Sequence, residues 1–125
     1  MGSSRFISMA AAAVLALAAP AHAKILRTAP ASDSWANAQL LCETTNVGST
    51  PITVQIESRG YDGALVESTN PYALSGGEAS SWAPYNSGGA YCKFIITQGS
   101  ATKLRAQAVY TQTPLGNRMI AVPAR

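Results

Sequence analysis

The sequence predicts an all-β protein, an antiparallel sandwich of about seven strands tied by one disulfide and preceded by a cleaved leader. Three observations carry this. After residue 37, clusters of turn-forming residues recur about every 8 to 12 positions, the spacing of an all-β sandwich. Between them, short segments alternate apolar and polar residues, the period of a strand with one buried and one wet face. Finally, Cys42 and Cys92 fall on the apolar faces of two such segments far apart in the chain. No apolar stripe of helical period competes with these signals after residue 23.

The leader is read from "MGSSRFISMAAAAVLALAAPAHA". Arg5 supplies a positive start, and residues 6–19 form an apolar run of about 14, the length expected of a signal peptide. A membrane span needs about 20. Ala21-His22-Ala23 matches a small-residue cleavage site, so cleavage is expected before Lys24. The expected division is a signal-peptide helix at 1–23, a lead-in at 24–37 and the sandwich domain at 38–125. No cysteine follows the cleavage site directly, and no later run is long enough to span a bilayer. A secreted or periplasmic protein is expected. The 102 residues from Lys24 to Arg125 make one domain with a modest core.

Charge and composition exclude several function classes. Nine Lys and Arg stand against six Asp and Glu, and Arg5 leaves with the leader. The remaining excess is too mild for the concentrated basic footprint of a nucleic-acid binder. The only histidine, His22, also lies in the leader. Without histidine there is no Ser-His-Asp or Cys-His nucleophile, no His-ligated zinc and no blue-copper site. No metal and no cofactor are expected. The carboxylates Asp33, Glu43, Glu57, Asp62, Glu67 and Glu78 could supply a glycosidase-like pair, but no spacing singles out two of them. Asp62 with Asn70 is too few oxygens for calcium.

The strands follow in order. A short edge strand is expected at 25–27 within the lead-in. Strands are then expected at 38–47, 52–59, 64–69, 78–83, 90–97, 102–112 and 118–122, joined by "GSTP", "GYDG", "NPYALSGG", "PYNSGG", "QGS" and "TPLGN". The clearest is "PITVQIESR", with Ile52, Val54 and Ile56 on one face and Thr53, Gln55 and Glu57 on the other. Ala90, Cys92, Phe94 and Ile96 share an apolar face, as do Leu104, Ala106, Ala108 and Tyr110, and Leu40 and Cys42.

Both cysteines therefore sit on faces expected to be buried, in an oxidising compartment, without the C-x-x-C spacing of a redox pair. A structural Cys42–Cys92 disulfide is expected. Segments 90–97 and 102–112 are expected to form a hairpin, and a three-residue loop at Gln98-Gly99-Ser100 keeps both apolar faces together by pairing Phe94 with Leu104 and Cys92 with Ala106. Gly99 or Ser100 then takes a left-handed conformation. This register sets Lys93 opposite Arg105, a mildly destabilising pair. Either Glu57 on a neighbouring strand answers these charges, or an anionic partner binds over Lys93, Lys103 and Arg105.

Aromatics give the other candidate site. If strands run alternately up and down, the loops at 60–63 and 84–89 share one end of the sandwich. Tyr61 and Tyr85 gather there with Trp82 close by, a set suited to protein or sugar recognition. Capping of the core by the same residues is the alternative, and "EASSWAP" shows no clean alternation to place Trp82.

The stretch "CETTNVGSTPITVQIESRGYDGALVES", with "LSGGEASSW" and "YCKFIITQGSATKLRA", resembles bacterial immunoglobulin-like or fibronectin-III-like modules. The shared pattern is a strand ending in Asn-x-Gly, an alternating strand, a Gly-centred turn and a strand with Leu before a Gly turn. Cell-adhesion-related domains of bacterial surface proteins have that layout, as do small secreted bacterial proteins with one cysteine pair. The likeness covers about residues 39–111 and implies an immunoglobulin-like sandwich. It departs from antibody domains, since Tyr91 stands one residue before Cys92 where a tyrosine corner needs two. It implies no functional residue. The expected function is an exported, non-enzymatic binding or structural module with a protein or glycan partner outside the cytoplasm. The alternatives are a small inhibitor or effector acting through the aromatic end, and a carboxylate-dependent hydrolase.

Overall fold

The computed structural model describes residues 23–30, 38–86, 88–112 and 118–125. The expected signal-peptide helix, the part of the lead-in at 31–37 and the turn at 113–117 lie outside these residues. Strands form at β1 (Lys24–Arg27), β2 (Gln39–Asn46), β3 (Ile52–Arg59), β4 (Leu65–Ser68), β5 (Tyr72–Leu74), β6 (Ala79–Trp82), β7 (Tyr91–Gln98), β8 (Leu104–Gln112) and β9 (Arg118–Pro123). They make two antiparallel sheets. One runs β1-β7-β3-β4, with β5 also pairing β3, and the other runs β6-β2-β8-β9.

Alternation builds the core. Ile52, Val54 and Ile56 of β3 are buried between the sheets, as are Cys92, Phe94 and Ile96 of β7. Leu40 and Cys42 of β2 and Leu104, Ala108 and Tyr110 of β8 meet them from the other side. Cys42 and Cys92 form the expected disulfide across 50 residues. Because β2 and β7 belong to different sheets, the bond ties the two layers through the middle of the core. The buried Tyr110 hydroxyl crosses the same gap and donates toward the carbonyls of Ala90 (2.6 Å) and Ala29 (3.2 Å).

The expected hairpin does not form. β7 pairs with β1 on one side and β3 on the other, so both of its edges are taken. After Gly99, which adopts φ +94°, a 3-10 turn at Ala101–Lys103 carries the chain to the opposite sheet. There β8 pairs with β2, setting Leu104 against Asn46 and Arg105 against Thr45. Phe94 instead lies between Leu26 and Ile56. Matching apolar faces across one sheet demands a fixed parity of register. Facing sheets lift that demand, because both apolar faces point into the same gap whatever the loop length.

The sandwich is closed along one side. Arg27 and Arg125 exchange both backbone hydrogen bonds at 3.0 Å, while the Ala124 N–H donates to Ala106 of β8. The residues after β9 therefore leave one sheet and pair with the outer edge of β1 in the other. The short strand expected at 25–27 is present as Lys24–Arg27, paired with β7.

A buried Asn46 organises the far end. Its Nδ2 donates to the carbonyls of Thr50 (2.8 Å) and Leu74 (3.0 Å), and its Oδ1 accepts the Gly48 N–H (2.9 Å). The Asn-x-Gly and Leu-x-Gly pieces of the sequence pattern are two halves of this one latch. Gly76 completes it, since a Cβ there would lie 2.8 Å from the Gly48 carbonyl oxygen.

Candidate functional site

The β3–β4 turn and the loop before β7 meet at one end of the sandwich. The Gly60 N–H bonds to Ala64, the Gly63 N–H bonds back to Gly60, and Asp62 Oδ1 accepts the Ala64 N–H, so the turn carrying Tyr61 is internally fixed. The second loop is fastened to the first hairpin. Ala90 N–H donates to the Arg59 carbonyl (2.7 Å), and Asn86 N–H donates to Glu67 Oε2 (2.9 Å). A Cβ on Gly60 would stand 3.8 Å from the Gly88 carbonyl oxygen, so the loops are in near contact. Tyr61 is 54% exposed, Leu65 54% and Tyr85 94%. Large apolar surface thus stands in solvent on a backbone held by hydrogen bonds.

Trp82 does not join them. It pairs with Cys42, faces the interior and packs half-buried against the core. The alternation in "EASSWAP" is present but concealed, because Ser80 is the other inward residue. Its hydroxyl lies 2.7 Å from the Tyr72 hydroxyl and 3.1 Å from Thr44 Oγ1, which satisfies a polar side chain in a partly buried, inward position.

The expected cluster of Lys93, Lys103 and Arg105 is dispersed. Lys93 is on the outer face of the β1-bearing sheet, Arg105 is on β8 of the other sheet, and Lys103 lies in the 3-10 turn between them. Their separation follows from the crossing of β8. Arg105 donates to the Thr102 carbonyl at 2.8 Å. Lys93 sits directly opposite Glu57, the neighbour anticipated from the strand order, and the Glu57 carboxylate is itself engaged by Arg59.

Two open grooves flank the seam between β1 and the C-terminal residues. One, of about 540 Å³, has Leu26, Leu104 and Ala106 below and Glu43, Arg105 and Gln107 at its rim. Glu43 accepts a 2.7 Å bond from Gln107. The other, of about 420 Å³, is bordered by Arg27, Thr28, Val122 and Arg125. The remaining described carboxylates are spread over the molecule, and no group of three potential metal ligands occurs among the described residues. No helix among them is long and apolar enough to cross a membrane.

The sequence alone gives no sign that Arg27 opposes Lys93 or that Arg125 pairs with Arg27. Arg27 and Arg125 lie 98 positions apart, and only the seam brings them together. Glu57 and Arg59, two positions apart in β3, share a face by strand periodicity, and that is the signal the sequence offers. Compared with family models, with curated proteins and with solved structures, the chain matches none.

Proposed function

We propose that the protein is an exported, non-enzymatic immunoglobulin-like module that binds a protein or glycan outside the cytoplasm through its Tyr61–Tyr85 end. The observation that carries this reading is the hydrogen-bonded pair of loops presenting Tyr61 and Tyr85 to solvent. Exposed tyrosines on a fixed backbone lose little conformational entropy on binding and combine apolar area with a polar tip. Export is supported by the disulfide, which persists in oxidising compartments, together with the signal-peptide pattern of the first residues.

The immunoglobulin-like reading rests on the four central strands. β2 pairs β6 in one sheet and β3 pairs β7 in the other, with the disulfide between β2 and β7, as the second and sixth strands are linked in antibody domains. The outer strands have exchanged places. β1 occupies the edge beside β7 where the last strand of an antibody domain lies, and β8 lies beside β2 where the first would be.

Capture from native cell envelope and culture medium tests the reading. The exported, non-reduced protein is used as bait beside its Tyr61→Ala/Tyr85→Ala variant. A partner retained by the first and lost by the second is the expected result. Equal capture by both removes the aromatic end from the account. Intact mass of the same bait should show cleavage before Lys24 and the loss of two hydrogens.

A further inference from the structure

We propose that the outer face of the β1-bearing sheet holds a site for a tetrahedral oxyanion, a phosphate- or sulfate-class group, formed by Arg27, Arg125 and Lys93. The site is distinct from the Tyr61–Tyr85 end and does not depend on its having a partner.

The pairing pattern places these residues in one row. Arg27 and Arg125 exchange both backbone hydrogen bonds, so they are a hydrogen-bonded antiparallel pair. Directly opposed residues project to the same face, with Cα atoms about 5.5 Å apart in such a pair. Lys93 opposes Arg27 from the other side. Since both backbone groups of Arg27 face Arg125, this second pair is the closer, non-hydrogen-bonded kind, at about 4.5 Å. Three cations therefore stand side by side over about 10 Å. Glu57 opposes Lys93 next along the row, and Arg59 holds its carboxylate. The backbone oxygen of Arg125 accepts the Arg27 N–H. Four cationic residues therefore lie along this part of the sheet beside the Glu57 carboxylate, which is already engaged.

Adjacent like charges on a sheet are destabilising, and this row repeats the arrangement twice in succession. An oxyanion reverses the sign of that interaction. The forked guanidinium of arginine matches phosphate and sulfate oxygens, and Arg27 and Arg125 are both among the residues that line an open groove of about 420 Å³. A planar carboxylate offers two oxygens on one side. A tetrahedral group presents oxygens in several directions and carries up to two charges, which suits a row of three donors.

The test uses the disulfide-intact exported protein, uniformly 15N-labelled, at constant ionic strength. Inorganic phosphate, inorganic sulfate and methyl phosphate are titrated against a chloride control while backbone amides are followed. Saturable shifts centred on Arg27, Lys93 and Arg125 are expected. Saturation by methyl phosphate marks an ester-borne group as an acceptable ligand, and saturation by the inorganic ions alone marks a free ion. Arg27→Gln/Arg125→Gln should weaken binding by about tenfold or more. Its melting temperature without ligand should equal or exceed the parent's, because a like-charge pair is gone. Lys93→Gln, which leaves the seam untouched, should weaken binding in the same direction. Lys103→Gln/Arg105→Gln should bind as the parent does. Shifts that fail to saturate with every anion, or an equal loss in the Lys103/Arg105 variant, overturn the proposal.

Discussion

Asn46 is fully buried, and each of its side-chain polar groups has a backbone partner, in the loop after β2 or at the end of β5. Removing it strands the Thr50 and Leu74 carbonyls and the Gly48 N–H away from a partner. Unsatisfied buried groups cost about 1 to 3 kcal/mol each, and loops relax enough to recover part of that. Asn46→Leu is expected to lower unfolding stability by about 2 to 4 kcal/mol in urea titration. A loss below about 0.5 kcal/mol would show that the latch is not needed. Tyr110→Phe removes one donor shared by two carbonyls and should cost about 1 to 2 kcal/mol by the same measurement. At this scale the sequence was partly legible. Asn-x-Gly reads as a turn from its residue types alone, and of Gly99 and Ser100, either of which is expected to be left-handed, Gly99 is the one that is. That Asn46 also reaches Leu74, 28 positions on, depends on tertiary approach and leaves no local trace.

The strands were legible wherever apolar residues marked the buried face, as in β2, β3, β7 and β8. β5 falls within an expected connection because three residues carry too little periodicity, and Asn70-Pro71 before it resembles a turn. The destination of β8 was not legible. Its apolar face satisfies a hairpin and a facing sheet equally well, and the choice turns on β1 having occupied the free edge of β7. The seam gives an element-scale expectation. Deleting Ala124 and Arg125 removes the reciprocal bonds to Arg27 and the bond to Ala106. The Arg27 amide should then lose its hydrogen-exchange protection while the Ile56 amide keeps its own. Unchanged protection at Arg27 would mean that the C-terminal residues do not close the sandwich.

Across the whole molecule, the shared end of Tyr61 and Tyr85 followed from up-and-down strand order and needed no knowledge of sheet membership. The cation row could not be anticipated, because it joins both ends of the described chain through a seam between sheets. The disulfide is readable from two apolar faces and from the oxidising compartment that the first residues lead one to expect. Its role as the link between layers is large for a domain of this size. Closing 50 residues contributes about 4 kcal/mol in the chain-entropy model, against a net stability of about 5 to 15 kcal/mol for an ordinary domain. Cys42→Ala/Cys92→Ala is therefore expected to lower the urea midpoint substantially, and an unchanged midpoint would contradict that share.

The account as a whole depends on β1, rather than β8, lying against β7. Proton NMR of the disulfide-intact protein measures this directly, since non-hydrogen-bonded antiparallel pairs bring Hα atoms closest. A strong Hα–Hα cross-peak between Arg27 and Lys93, with cross-strand contacts between Leu104 and Asn46, is the expected result. Cross-strand backbone contacts joining Phe94 to Leu104 and Lys93 to Arg105 would contradict it, returning the cations to a single hairpin and dissolving both the seam and the row.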